Sequence, residues 1–168
     1  MAGGIELYLI RHGLAGEFGS YPNDHERPLT EEGKKKTRQV AKRLLDLGLQ
    51  FDLILTSPLV RARQTAEILM DVGLTDQLEN ADFLADGDID SWLTWLQSWK
   101  PGKHGHLALV GHEPSLSQWA EQLIWGDSKG AIQFKKAGVL GLELPAYGSP
   151  IGASTLFWLT PPRLLLND

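Results

Sequence analysis

Short apolar runs alternate with amphipathic ones along the chain, and each kind of run predicts an element. Ile5–Ile10 reads as a buried strand that stops abruptly at Arg11, His12 and Gly13. Residues 13–28 are polar, carry Gly16, Gly19 and Pro22, and read as a long loop. From Thr30 the period turns helical. Thr30 can cap, Glu31 and Glu32 occupy the first turn, and Val40, Ala41, Leu44, Leu45 and Leu47 form a stripe that Gly48 closes. Phe51–Leu55 is a second strand. Thr56-Ser57-Pro58 then predicts a serine cap with proline at the first helical position, opening a helix with Ala62, Thr65, Ala66 and Leu69 on one face. Asp88 caps a further helix that turns Ile89, Trp92, Leu93 and Leu96 inward. Leu107–Val110 is a third strand, and Gly111-His112-Glu113-Pro114 leads into a helix through Leu116, Trp119, Ala120, Leu123 and Ile124. Val139–Leu144 and Thr155–Leu159 predict two more strands, paired across a turn at residues 147–152.

This order of strands and helices is an α/β alternation. The three most apolar strands suit a sheet covered on both faces. The expected fold is a single three-layer α/β domain over residues 1–168, with a mostly parallel mixed sheet between helices. A chain of 168 residues supports one sizeable core, whereas two halves would each be marginal.

Composition narrows the function. The formal net charge of −5 opposes nucleic acid and anionic membrane surfaces, so neither is expected as a partner. An anionic substrate therefore needs a local basic pocket. The absence of cysteine excludes disulfides, thiolate metal sites and cysteine nucleophiles. The apolar stretch near the amino terminus is too short for a signal sequence, and no segment approaches a membrane span, so the expected location is the cytoplasm.

The residues that carry chemistry stand just past the buried strands. Arg11-His12-Gly13 comes after the first, Thr56-Ser57-Pro58 with Arg61 and Arg63 after the second, and Gly111-His112 after the third. In a largely parallel sheet these ends share one edge, where ligands bind. Helix amino termini there favour anions. Two histidines, several arginines and two such termini describe a phosphate pocket. Arginine binds two phosphoryl oxygens at once and stays charged. A neutral imidazole nitrogen attacks phosphorus to form a phosphohistidine that water later hydrolyses. A second histidine, if protonated, offsets transition-state charge. Arg11 beside His12 resists protonation of that histidine and keeps its nitrogen free.

LIRHG, RPLTEEG, SPLVRARQTAE and VGHEP, in this order, resemble the histidine phosphatase superfamily, also called phosphoglycerate mutase-like. The short chain, the ERPLTEEG spacing and the closing WLTPPRLL make it most similar to the SixA-like phosphohistidine phosphatases. The resemblance runs from about Leu7 to Leu165. It implies that His12 is the nucleophile, Arg11 and Arg61 the phosphate-binding arginines, and His112 the second histidine of the pocket. Gly13 and Arg27 join the expected substrate-binding set, Arg27 near the pocket mouth. Arg63 matches no position of the pattern and reads as helix surface. Many relatives place a glutamate general acid in the segment that here reads LENADFLADGDIDSW, where Glu79 and Asp82 are the candidates and neither sits in a motif. A missing acid favours an N–P substrate over a sugar phosphate, because imidazole leaves more readily than alkoxide.

The implied activity is metal-independent hydrolysis of phosphohistidine on a histidine-containing signalling domain, with no cofactor. The alternatives are a phosphatase for small phosphate esters and a non-catalytic phosphate or phosphoprotein binder, which needs the arginines but no nucleophile. Other features have plainer readings. His104 and His106 lack the acidic neighbours of a metal motif. Lys34, Lys35 and Lys36 read as a solvated helix face, and Trp92, Trp95 and Trp99 as core, or core with one exposed edge, at helical spacing. Ser57 reads as a cap, since no G-x-S-x-G surrounds it.

Overall fold

The computed structural model describes residues 4–166. Six strands form one sheet in the order β3-β2-β4-β1-β5-β6. They are β1 (Ile5–Arg11), β2 (Leu53–Thr56), β3 (Leu78–Asn80), β4 (Gly105–Gly111), β5 (Val139–Leu144) and β6 (Thr155–Thr160). β1, β2, β3 and β4 run parallel, while β5 is antiparallel to both β1 and β6. The helices are α1 (Glu31–Asp46), α2 (Val60–Val72), α3 (Phe83–Asp86), α4 (Ile89–Ser98) and α5 (Ser115–Trp125).

Period-two alternation in the strands assigns each face of the sheet. Tyr8, Ile10, Ile54, Ala108 and Val110 pack against Val40, Ala41 and Leu44 of α1 and Ala62, Ala66 and Leu69 of α2. Leu7, Leu9, Leu55, Leu107 and Leu109 face the other way, against Leu84, Trp92, Leu116, Trp119 and Leu123 from α3, α4 and α5. The expected α/β domain, with helices on both faces of a mixed sheet, is the observed one.

Three expectations change. The helix after β2 starts at Val60 rather than at Pro58, because Leu59 is still extended and the Ser57 hydroxyl takes the Leu59 N–H instead of capping a helix. Leu47, read into the stripe of α1, is its C-cap and is half exposed. β3 and α3 were not expected: at three and four residues they are too short to show a period. The plainer readings of the lysines and tryptophans hold. Lys34 and Lys36 pair with Glu31 and Glu32 on the exposed face of α1. Trp92 is buried against Trp119, while Trp95 and Trp99 stack on each other, half-buried, on α4.

Candidate active site

The carboxyl ends of β1, β2 and β4 meet as parallel neighbours do. His12 N–H donates to Gly111 O at 3.1 Å, and Ser57 N–H donates to Val110 O at 3.0 Å. This register sets the His12 and His112 rings side by side, with centroids 5.2 Å apart. His12 is almost completely buried and Arg61 is 7% exposed, an unusual environment for an arginine and a sign of a built site.

The proton on His12 can be assigned. Its Nδ1 lies 2.7 Å from the Gly13 carbonyl, which can only accept, so Nδ1 carries the hydrogen and Nε2 keeps its lone pair. Burial, reinforced by the fields of His112, Arg61 and Arg11, pushes the pKa of His12 down to about 3. His12 is therefore neutral near pH 7, with a free ring nitrogen. Gly13 is tied on both sides: its carbonyl holds His12 and its N–H donates to Thr65 Oγ1 at 3.0 Å. Thr65 in turn donates to the Arg61 carbonyl, which links the two halves of the site. A Cβ on Gly13 would overlap Thr37 Oγ1, so only glycine lets α1 approach this closely.

His112 is likewise held neutral. Burial, with Arg61 as the next largest influence, lowers its pKa to about 4. Burial and the arginine fields thus weigh against the protonated second histidine that the sequence suggests. Its Nε2 meets Ser57 Oγ at 2.7 Å, and its Nδ1 is buried with no partner among the described residues.

Arg11 is aimed by the backbone: its Nη1 donates to the Phe134 carbonyl at 2.9 Å, and its Nε is buried without a partner among the described residues. The loop bearing Phe134 is pinned by Glu121, buried on α5, whose carboxylate accepts the N–H groups of Lys129, Gly130 and Ala131. Arg61 faces Asp24, on a short 3₁₀ turn at Asp24–Glu26 in the long loop, and its Nε is also buried with no partner among the described residues. Arg27 pairs with the same Asp24 at 2.8 Å and donates to Gly16 O at 2.8 Å. Its described contacts all lie in this loop, so it stands at the rim rather than beside His12. Arg11 Nε, Arg61 Nε and His112 Nδ1 are thus the guanidinium and ring nitrogens of the site left buried without a protein partner among the described residues.

The remaining candidates lie elsewhere. Arg63 is a surface residue of α2, bonded to Glu67 at 2.9 Å and Asn80 at 2.8 Å. Glu79 and Asp82 are exposed and make no described contact with His12, His112, Arg11 or Arg61. Glu79 instead lines a surface cleft with Trp95 and Trp99. His106, at the amino end of β4, lies 3.3 Å from Glu6, far along the strand from His112. Sequence reasoning missed Asp24, the Ser57 contact and the Phe134 carbonyl. The acid three residues before Arg27 is the one signal that pointed to Asp24.

Basic and imidazole groups thus gather at the parallel-sheet edge of an α/β fold, and known proteins share that arrangement of chain and fold. The profile of the histidine phosphatase superfamily (branch 1) matches residues 7–113, and the chain belongs to that superfamily. An uncharacterized protein of Picosynechococcus sp. is 45% identical over 166 residues, covering 96% of this chain and 99% of the relative. Among solved structures, the protein histidine phosphatase SixA complexed with tungstate superposes with a TM-score of 0.82 at 25% identity, over 95% of this chain and 99% of that one. A phosphoglycerate mutase from Bacillus anthracis shares the fold, with a TM-score of 0.70 at 14% identity over 98% of this chain and 96% of that one.

Proposed function

We propose that this protein is a metal-independent phosphatase that hydrolyses phosphohistidine on a signalling protein in the cytoplasm. The observation that carries the reading is the Gly13 carbonyl on His12 Nδ1, which leaves a neutral Nε2 lone pair beside two half-satisfied arginines. Nε2 attacks phosphorus, the N–P bond of the substrate breaks, and its electron pair returns to the departing imidazole, which takes a proton from solvent. Water then attacks the phosphoryl group on His12, releasing orthophosphate and restoring Nε2. Arg11, Arg61 and His112 hold the equatorial oxygens through both steps, Arg27 stands at the substrate entrance, and Gly13, whose N–H and carbonyl are both taken up, orients His12 rather than binding substrate. Two arginines supply the positive charge that a cation brings to other phosphoryl-transfer sites. The likeness to SixA supports a protein-borne phosphohistidine substrate. The lack of any Glu79 or Asp82 contact with the site supports an N–P substrate over an ester.

Rapid-quench trapping with labelled phosphohistidine protein tests this. Wild type accumulates an acid-labile, base-stable adduct, and His12→Ala gives neither adduct nor turnover while keeping its fold. EDTA leaves the rate unchanged. Turnover by His12→Ala, or loss of rate in EDTA restored by one divalent ion, sinks the mechanism. Binding of a phosphoprotein without turnover would make the chain a recognition module.

A further inference from the structure

Ser57 has no exposed surface, and its hydroxyl can be accounted for atom by atom. A serine hydroxyl offers one proton and two lone pairs. One lone pair accepts the Leu59 N–H at 3.2 Å. The other described neighbour of the oxygen is His112 Nε2 at 2.7 Å. If the ring donated from Nε2, the Ser57 proton would be buried with no acceptor among the described residues. If Ser57 donates to Nε2, its proton is satisfied, only one lone pair is left unused, and the ring hydrogen of a neutral His112 must sit on Nδ1. That Nδ1 is buried and unpartnered. A donor left free beside two arginines is what a phosphoryl oxygen needs, whereas a bare Nδ1 lone pair would repel it.

We propose that Ser57 is a positioning residue that donates to His112 Nε2 and fixes His112 as the neutral Nδ1–H tautomer. The second histidine then acts as an oriented neutral donor rather than as a cation. Arg61 and Arg11 add positive field at the ring, Arg27 adds a smaller one from the rim, the His12 ring lies beside it and Asp24 is the opposing charge, so a neutral donor avoids adding to that cationic cluster. The role rests on the phosphoryl reading of the pocket, but the tautomer is measurable with no substrate present.

The experiment is nitrogen–proton correlation spectroscopy of the full chain labelled in its histidines, near pH 7, with His112 assigned from a His112→Gln spectrum. In wild type, His112 shows a protonated Nδ1 and an unprotonated Nε2. Ser57→Ala loses that single pattern and gives a mixture or the Nε2–H form. An Nε2–H ring in wild type overturns the proposal, and so does an Nδ1–H ring that survives Ser57→Ala. If Ser57→Ala fails to fold, the wild-type pattern decides alone. A wild-type protein with the Nδ1–H tautomer that turns over no phosphohistidine would refute the proposed function and leave the Ser57 assignment standing.

Discussion

Asp24 grips Arg61 twice. Its backbone carbonyl accepts Arg61 Nη1 at 3.0 Å and its carboxylate lies 3.2 Å from Nη2. An anion at this guanidinium would meet the Asp24 carboxylate as a rival negative charge. The loop thus brings its own anion to the pocket, shared with Arg27, and Arg27 in turn holds the carboxylate well below the usual range.

Asp24→Asn should therefore strengthen inhibition by orthophosphate. The carboxylate is about a third exposed, so its competition is that of a screened pair, on the order of 0.5–1 kcal/mol, or a two- to fivefold lower inhibition constant. Weaker inhibition in Asp24→Asn would mean that the carboxylate aims Arg61 more than it competes for it.

The two arginines at the start of α2 should behave oppositely. Arg61→Ala removes a buried cation from the site and should reduce the rate about a hundredfold or more, as loss of an oxyanion contact usually does. Arg63→Ala breaks only exposed contacts to Glu67 and Asn80 and should stay within about twofold of wild-type rate. Steady-state rates on one phosphohistidine substrate separate them, and a costlier Arg63 would mean that the wrong helix arginine has been assigned.

The features that the sequence discloses and those it hides divide along physical lines. Arg11, His12, Arg61 and His112 are legible because they come just after buried strands or open helices, and the periodicity of those elements fixes where their ends fall. Asp24 is hidden because the loop from residue 13 to 28 has no period to place it. The Phe134 carbonyl is hidden for a different reason: any residue carries that acceptor, so identity at position 134 says nothing of the hydrogen bond to Arg11. Ser57 is visible as a residue but misread in role. A Ser-Pro pair looks like a helix start, and only the approach of β4 to β2 shows that its hydroxyl faces His112.

The buried His12 and the half-buried His112 also set a pH dependence of stability. Both are lowered from 6.5, His12 to about 3 and His112 to about 4. Below about pH 6.5 the unfolded chain takes up protons at these positions and the folded chain does not. Stability must then fall as pH falls, until the folded values are reached. The loss at pH 5 is on the order of 1–2 kcal/mol per histidine. Melting temperatures measured from pH 7 to 5 should decline, and the double variant His12→Asn, His112→Asn should decline less. An equal decline in both proteins would place the acid sensitivity elsewhere.

Without a side chain to protonate it, the departing atom must carry its own negative charge out of the pocket. Glu79 and Asp82 are solvent-exposed, and the one carboxylate in contact with a pocket arginine among the described residues, Asp24, is held ionised by its pairs with Arg27 and Arg61. An ionised acid cannot give a proton to a departing alkoxide. The rate should therefore fall steeply with leaving-group basicity: phosphohistidine and activated aryl phosphates turn over, while serine and sugar phosphates lag. A well-placed general acid contributes ~10²–10⁴-fold, which sets the size of the gap. The measurement is a series of phosphate monoesters of graded leaving-group pKa, run on wild type, Glu79→Gln, Asp82→Asn and Asp24→Asn. Steep dependence in all four supports the N–P substrate. A flat dependence in wild type that steepens in one variant would identify that residue as the acid and return small phosphate esters to first place.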